Sequence, residues 1–309
     1  MYDLIIIGAG PAGAGAAVYA ARKKIKTLLI TDGWGGQSVV SADIQNWIGV
    51  KSVSGFDFSK NLEAHVRAYE PELEIWDSDL AEKVEKNDSG FRVITKKGKS
   101  VETKTILVTA GSRRRRLGVL GEDRLDGRGV AWCPTCDAPL FNGKQVAVIG
   151  GGNAGLEAVL DLNPYASKIY LLHRGEALKG DPVTQEKILS LSKVTVIYNA
   201  VTQEILGEQF VSGLKYQDKK TGEEKILELG GVFIEIGSLP NSDFVKNLVE
   251  RNVIGEIVVD HKTQRASAEG IWAAGDVSDV LYKQNNISVG DAIKAILNIY
   301  SYLHEKNHI

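Results

Sequence analysis

The chain has 309 residues, of which 43% are hydrophobic and 25% charged, a balance typical of globular proteins. This length exceeds what one hydrophobic core usually serves, so two domains are expected. A formal net charge of −2 excludes a general electrostatic attraction to nucleic acid or to an anionic membrane. The one basic cluster, Arg113–Arg116, is interpreted as a solvated connector, and no run has the roughly 18 apolar residues of a membrane span. We therefore predict no nucleic-acid partner and no membrane partner.

The N-terminal segment does not follow the pattern of a secretory signal. Asp3 stands where positive charge is expected, and Gly8, Gly10 and Pro11 interrupt the apolar run. We therefore expect a cytoplasmic protein, in which a pair of nearby cysteines is redox-active or metal-binding rather than structural.

The first predicted elements form a strand–helix–strand unit. Leu4–Gly8 is an apolar run typical of a strand buried on both faces of a parallel sheet. The sequence GAGPAG, Gly8–Gly13, follows, then a helix to about Lys24 and a strand over Thr27–Thr31. In this context the glycines form a tight turn, admit a pyrophosphate, and let the helix pack on the strand. The unit is predicted to bind a dinucleotide.

The same plan returns about 140 residues later. A strand over Gln145–Gly150 leads into GGGNAG, Gly150–Gly155, then a helix to about Leu162 and a strand over Lys168–His173. One such motif is weak, because glycine-rich turns are common, but two in the right context are strong. Two dinucleotide sites are therefore predicted on one chain.

Each unit is followed by a hairpin and an apolar strand, within Phe91–Gly111 and within Phe210–Gly237. A last strand is predicted within Gly270–Asp279, and a helix from about Val289 to Leu303. The predicted fold class is α/β, with two Rossmann-like dinucleotide-binding domains, each a parallel sheet with a β-meander.

The ribose of each dinucleotide is expected at the end of the second strand of its unit. Asp32 stands there in the first unit and can accept bonds from ribose hydroxyls. His173 and Arg174 stand there in the second, where a guanidinium suits a 2′-phosphate and the nearby Glu176 would repel one. This pattern favours NADPH over NADH as the nucleotide of the second site, and NADH stays an alternative.

The two cysteines of the chain, Cys133 and Cys136, can close a small ring reversibly and so store two electrons. The alternative is that the pair forms half of a zinc site. A structural zinc site needs four protein ligands, but the chain has only five histidines and lacks a second CxxC pair. The sequence His304–His308 fits HExxH but occupies the C-terminal tail. No metal is predicted.

Nine short motifs together resemble the low-molecular-weight thioredoxin reductase family. The resemblance is closer still to the flavoprotein subunit of alkyl hydroperoxide reductase without its N-terminal thioredoxin-like domains, and it covers essentially the whole chain. The motifs are GAGPAG (8–13), GGQ (35–37), QNW (45–47), TAG (109–111), GED (121–123), CPTCD (133–137), GGGNAGLEA (150–158), AAGDV (273–277) and YKQ (282–284).

The resemblance implies an FAD-binding domain built from 1–113 and 245–309, an inserted NAD(P)H-binding domain over 114–244 that carries the cysteines, and a homodimer. The residues implied to bind FAD are Gly8, Gly10, Pro11, Ala12, Gly13, Asp32, Gly36, Gln37, Asn46, Gly111, Gly275, Asp276, Lys283 and Gln284. Those implied to bind NAD(P)H are Gly150, Gly152, Asn153, Ala154, Gly155, His173 and Arg174.

The resemblance also implies the catalytic roles. Cys136 accepts electrons from the flavin, Cys133 attacks the disulfide of a protein substrate, and Asp137 moves the proton, for which its pKa has to rise. The sequence departs from the family at Ala138, where a glycine is usual, and at His173–Gly175, which is neither the arginine-rich element of NADPH enzymes nor the acidic one of the peroxide system.

The predicted function is FAD-dependent NAD(P)H:disulfide oxidoreductase, acting on a thioredoxin-like protein. A glutaredoxin-like partner or a peroxiredoxin is the close alternative. A ferredoxin- or flavodoxin-dependent enzyme is disfavoured by the intact second glycine loop, and a non-catalytic flavoprotein redox sensor by the cysteine pair beside Asp137.

Overall fold

The computed structural model describes residues 1–41 and 43–305. The chain divides into two compact units. The first consists of Met1–Ser41, Trp47–Arg113 and Leu239–Ile309, and the second of Ala42–Asn46 and Arg114–Ser238.

Both units contain helices as well as strands. From the N-terminus, the first elements in chain order are β1 (Tyr2–Ala9), α1 (Pro11–Arg22), β2 (Thr27–Trp34), α2 (Gly55–Arg67), β3 (Leu73–Trp76), β4 (Ala81–Asn87), β5 (Gly90–Thr95), β6 (Ser100–Val108) and β7 (Ser112–Arg114). Next come β8 (Val130–Ala131), α3 (Pro134–Asp137), β9 (Gln145–Ile149), α4 (Asn153–Leu162), β10 (Lys168–Leu172), α5 (Pro182–Leu189), β11 (Val194–Ile197), β12 (Ala200–Leu206), β13 (Gly213–Asp218), β14 (Glu224–Glu228) and β15 (Gly231–Ile234). The last are β16 (Ser238–Pro240), β17 (Val259–Asp260), β18 (Arg265–Ala266), β19 (Ile271–Ala273) and α6 (Asn285–Glu305).

The first unit is built on a sheet in the order β17-β18-β19-β6-β1-β2-β3. From β19 to β3 the strands are parallel, and the β4–β5 hairpin joins this sheet through β6. Helices α1 and α6 cover one face in a common core, where Ala16, Ala17 and Ala20 are fully buried. Small side chains on α1 allow its backbone to lie close to its neighbours, and the helix begins at Pro11, just after the carboxyl end of β1.

The second unit is built on a wholly parallel sheet in the order β11-β10-β9-β15-β8. Side chains of α4 and α5 cover one face, and the antiparallel strands β12–β14 contribute to the core on the other. Because all five strands run the same way, their carboxyl ends meet at one edge, as they do in the first unit.

The predicted fold class is confirmed, with two Rossmann-like sheets that each have a meander. The main difference lies in α6, which begins at Asn285 rather than at Val289. Asn285 and Asn286 are polar and carry no apolar periodicity, yet the amide of Ser288 already donates to the carbonyl of Gln284 at 2.9 Å. Among the residues that the structure describes, no helix combines the length and the apolar character needed to cross a membrane.

Candidate functional site

The first glycine loop has the geometry of a phosphate cradle. A Cβ at Gly8 would lie 2.6 Å from the carbonyl oxygen of Thr109, and one at Gly13 would lie 1.8 Å from that of Gly8. Gly10, by contrast, would meet nothing closer than 3.8 Å. The backbone is therefore close-packed at the first and third glycines and open at the second. Helix α1 starts with Pro11, has no side-chain cap and has no acid in its first turn, so its amide donors are available to an anion.

Three other segments reach the same edge of the first unit. The side-chain amide of Gln37 donates to Ser112 Oγ at 3.1 Å and to Asp276 Oδ2 at 3.4 Å. A Cβ at Gly275 would lie 3.2 Å from Ala12, which places the loop after β19 against the start of α1. The Lys283 ammonium donates to the carbonyl oxygens of Asp276 at 3.4 Å and Ser278 at 2.6 Å. These contacts assemble residues that lie more than 200 positions apart in the sequence.

The remaining residues predicted to bind FAD are placed as follows. Asp32 is exposed in the carboxyl half of β2, Gly36 lies 3.8 Å from the Cβ position of Gly10, and Gly111 has open space around its Cβ position. Gln284 directly precedes α6. Asn46 belongs to the short segment that groups with the second unit.

The second glycine loop repeats the geometry of the first. A Cβ at Gly150 would lie 2.1 Å from the carbonyl oxygen of Glu235, one at Gly155 would lie 1.8 Å from that of Gly150, and one at Gly152 would meet nothing within 4 Å. Helix α4 again starts without a side-chain cap or an acid in its first turn. Asn153 and Ala154, in that turn, are exposed. This loop therefore presents a second open, uncapped helix start at the carboxyl end of β9.

His173 and Arg174 follow β10 at the same edge, but they differ in exposure. His173 is 8% exposed and packs against Gly151, whose Cβ position lies 2.5 Å from the imidazole. Burial, with Lys179 and Arg174 nearby, lowers the pKa of His173, so the imidazole is neutral at pH 7. Arg174 is exposed, and Glu176 pairs with Lys220 at 3.1 Å. The guanidinium is thus accessible, while Lys220 partly offsets the charge of Glu176.

The cysteine pair lies at the end of β8 in the second unit. Cys133 and Cys136 form a disulfide across the single turn of α3, with their Cα atoms 5.2 Å apart. The amides of Cys136 and Asp137 both donate to the carbonyl oxygen of Cys133, at 3.0 and 2.9 Å. The Thr135 hydroxyl donates to Asp161 on α4 at 2.7 Å. These bonds hold the turn that keeps both sulfurs in bonding range.

Asp137 directly follows Cys136 in the sequence and is partly buried. Burial raises the pKa of Asp137 to about 6, while Arg114 and the backbone of Cys133 act in the opposite direction. This is the direction that proton transfer by the carboxyl requires. The structure differs here from the expectation of a solvated connector at Arg113–Arg116, because the Arg114 guanidinium lies half-buried, 5.6 Å from the ring centre of Trp132.

Sequence reasoning did not single out Glu235, which follows β15. Burial, the largest cause, raises the pKa of Glu235 to about 8, with Arg114 lowering it and Asp161 and Glu157 raising it further. Its Oε1 atom is buried and accepts no hydrogen bond from the described residues. The one available signal was a charged residue within the apolar run VFIEI.

The raised pKa of Glu235 predicts a stability change with pH. In the unfolded chain this carboxyl loses its proton near its ordinary pKa, whereas in the folded chain it keeps the proton to about pH 8. The folded state is therefore disfavoured as pH rises through that window, by at most about 1.4 kcal/mol per pH unit. We expect the melting temperature of Glu235→Gln, relative to wild type, to rise by several degrees between pH 5.5 and pH 8.5. Glu228→Gln, an exposed acid on β14, is the control, and equal differences at both pH values would contradict the assignment.

Comparison with known proteins agrees with this geometry. The family model described as pyridine nucleotide-disulphide oxidoreductase matches residues 2–293, and the chain belongs to this family. Members of the family use FAD and a pyridine nucleotide.

Two relatives and two solved structures are similar to the chain over nearly its whole length. The chain is 43% identical over 302 residues to the NADH dehydrogenase of Bacillus subtilis and to an alkyl hydroperoxide reductase subunit of Staphylococcus aureus. These alignments cover 98% of the chain but 58% and 59% of the relatives, so the chain spans less than two thirds of their length. The thioredoxin reductase of Streptococcus pyogenes, a solved structure, is 34% identical with a TM-score of 0.92, covering 99% of both chains. That of Giardia duodenalis is 26% identical with a TM-score of 0.91, covering 98% of this chain and 99% of its own.

Across residues 1–41 and 43–305, no cluster of three or more His, Cys, Asp or Glu side chains has an arrangement that could hold a metal ion. Of the HExxH sequence at the C-terminus, His308 lies outside the described residues. The His304 imidazole lies 2.8 Å from the carbonyl oxygen of Tyr300.

Proposed function

We propose that the protein is an FAD-dependent NAD(P)H:disulfide oxidoreductase of the thioredoxin reductase type. The observation that carries the proposal is the Cys133–Cys136 disulfide, held with Asp137 at the edge of a sheet that also carries an open glycine cradle. A second cradle of the same geometry in the other unit supports a second dinucleotide. A disulfide with two dinucleotide sites is the set of groups that electron transfer from nicotinamide to sulfur requires.

The first unit fits FAD. We assign the pyrophosphate to the open backbone at Gly10 and the amides of α1, and the ribose to Asp32. The carboxylate of Asp276 is held toward Gln37 and the start of α1, where it can accept bonds from hydroxyl groups of the cofactor. Bound at these residues, FAD would supply two-electron transfer between a nicotinamide and the disulfide. The FAD-binding domain is then formed by both ends of the chain, and the inserted segment is the nucleotide domain.

The second unit fits NAD(P)H, and NADPH is the favoured donor. Gly152 and the first turn of α4 would hold the pyrophosphate. The exposed guanidinium of Arg174 is available to a 2′-phosphate, and His173 supports the loop by packing on Gly151.

The Arg174→Ala variant tests this preference. A charge-assisted bond to the 2′-phosphate is lost with NADPH and never forms with NADH, so KM for NADPH should rise about tenfold while that for NADH changes little. Steady-state kinetics with both nucleotides measures the difference, with Arg128→Ala, another exposed arginine of the same unit, as control. An equal change for both nucleotides would refute the role of Arg174.

The dithiol then carries the electrons outward. In our proposal Cys136 receives them, Cys133 attacks the disulfide of the partner, and Asp137 accepts and returns a proton at its carboxylate. The raised pKa of Asp137 supports this role, because a carboxyl that titrates near pH 6 exchanges protons readily at neutral pH.

The partner that we propose first is a small thioredoxin-like protein, since structures similar along the whole chain are thioredoxin reductases. A second candidate is a glutaredoxin-like protein or a peroxiredoxin, which the 43% identity to the alkyl hydroperoxide reductase relative favours. We further propose a cytoplasmic location, since a reversible cysteine pair suits a reducing compartment. We also propose a homodimer, which the resemblance to the thioredoxin reductase family implies.

Anaerobic addition of nucleotide to the purified protein tests the proposal. NADPH or NADH should bleach the flavin absorbance, and candidate thioredoxins and peroxiredoxins added next should restore it. If neither nucleotide reduces the flavin, the proposed function is wrong. If the flavin is reduced but no disulfide protein restores its absorbance, the protein is a flavoprotein of another activity.

A further inference from the structure

Glu235 and Cys133 follow two neighbouring strands of the second unit, at the same edge of its sheet. Strands β15 and β8 are parallel neighbours, with Val232 opposite Val130 and Phe233 opposite Ala131. Glu235 and Cys133 each stand two residues beyond the last pair of this register, at the carboxyl ends of the two strands. Phe233 and Ala131, which form that last pair, belong to the core that α4 covers.

The charged groups that act on Glu235 come from two other elements, β7 and α4. Arg114, at the end of β7, acts on both Glu235 and Asp137. Asp161 and Glu157 lie on α4, and Asp161 accepts the hydroxyl of Thr135 from the turn that holds the disulfide. The charge of the Arg114 guanidinium therefore acts on two carboxyl groups, that of Glu235 and that of Asp137, which directly follows Cys136.

The chemistry of the proposed function leaves one proton to be supplied. A disulfide reduced by NAD(P)H gives two thiols, and the hydride carries two electrons but only one of the two protons. The other proton has to come from a group at the disulfide or from solvent.

We propose that Glu235 is the acid that gives this proton to the Cys133–Cys136 pair and takes it back when the pair is oxidised. The proposal deepens the proposed function and rests on it for the source of electrons. As the S–S bond breaks, the electron pair goes to the sulfurs, one sulfur takes the proton of Glu235, and the resulting carboxylate lies in the field of Arg114. When the dithiol attacks a partner disulfide and closes again to the disulfide, two protons leave the pair: Asp137, mostly a carboxylate at neutral pH, accepts the proton of the attacking sulfur, and Glu235 recovers the other.

Protonation at neutral pH distinguishes the two acids. With a pKa of about 6, Asp137 is mostly a carboxylate at pH 7, whereas Glu235, with a pKa of about 8, is mostly protonated. An ordinary thiol has a pKa of about 8.5, so a proton can pass between Glu235 and sulfur at little cost in free energy. The buried Oε1 atom that accepts no hydrogen bond from the described residues is consistent with a neutral carboxyl.

The test uses dithiothreitol as reductant, so that it depends on neither nucleotide. The disulfide in the purified flavoprotein is reduced anaerobically, quenched with acid, alkylated, and its thiols counted by mass spectrometry, from pH 6.5 to 9.5. The rate constant is divided by the thiolate fraction of dithiothreitol. The corrected rate of the wild type should be constant at low pH and fall about tenfold per pH unit above pH 8. A wild-type rate without this fall would overturn the proposal, whatever the variants show.

The variants locate the proton. Glu235→Gln should be at least about tenfold slower at pH 7 and should lose the fall above pH 8, whereas Glu235→Asp should keep a titration at a shifted pH. Glu228→Gln should behave as wild type. If Glu235→Gln keeps the wild-type rate and profile and changes only nucleotide affinity, Glu235 is a nucleotide-binding residue and the proposal is wrong. If the profile holds while neither nucleotide bleaches the flavin, the proposed function fails and the role of Glu235 as an acid stands.

Discussion

Replacing Cys136 by serine is expected to abolish the reduction of disulfide substrates while leaving reduction of the flavin by nucleotide intact. Serine cannot form the bond to Cys133, so the two-electron store is lost, although neither glycine cradle is touched. Turnover with a thioredoxin-like substrate should fall roughly a thousandfold or more. Anaerobic bleaching of the flavin measures the first step, and steady-state reduction of the disulfide protein measures the whole sequence.

Thr135→Ser is the matched control for this variant. It changes a side chain in the same turn and keeps the hydroxyl that donates to Asp161, so turnover should stay within a few-fold of wild type. If Cys136→Ser still reduced the disulfide protein, electrons would reach the substrate without the cysteine pair, and the proposed path would be wrong. If the variant also lost flavin reduction, the two sulfurs would have a role in the first step that the proposal does not assign.

The parts of the site that could be predicted from the sequence are those with a local cause. A glycine that must avoid a carbonyl oxygen a few residues away, as Gly13 and Gly155 do, leaves its trace in a short motif. The strands before and after each loop are fixed by apolar runs of the right length, and two cysteines separated by two residues can pair within one turn. Each of these features is decided within about ten residues, which is why sequence spacing predicts it.

The parts that could not be predicted depend on which strands become neighbours. Glu235 and Cys133 come to the same edge of the sheet because β15 pairs with β8, about a hundred residues earlier in the chain, and no local pattern encodes that pairing. The influence of Arg114 on both Asp137 and Glu235 follows from the same arrangement. His173 was predicted from its position after β10, but its burial against Gly151 depends on the loop that returns over it. Groups that bind or react can therefore be identified from the sequence more readily than groups that shift the pKa values of others, such as Arg114.

Two glycines of the second glycine loop, Gly155 and Gly152, have opposite steric surroundings. Substitutions at these positions therefore separate an effect on stability from an effect on nucleotide binding. In Gly155→Ala the added methyl group would lie 1.8 Å from the carbonyl oxygen of Gly150, so α4 and β9 must move apart. A clash of this kind in a buried turn should destabilise the protein by about 3 kcal/mol or more, and should lower the melting temperature accordingly. Nucleotide affinity should be lost with the structure of the loop.

In Gly152→Ala the added methyl group meets no atom of the protein within 4 Å, and the backbone of Gly152, at φ −94°, suits any residue. Stability should change by less than about 1 kcal/mol. The methyl group nevertheless occupies the side from which a pyrophosphate would approach the backbone, so nucleotide affinity should fall by about tenfold or more while the melting temperature and the flavin content stay at wild-type values. Thermal melting together with nucleotide titration of the oxidised protein measures both quantities. Equal losses of stability in the two variants would contradict the close-packed and open roles of these glycines, and an unchanged affinity in Gly152→Ala would place the nucleotide away from this loop.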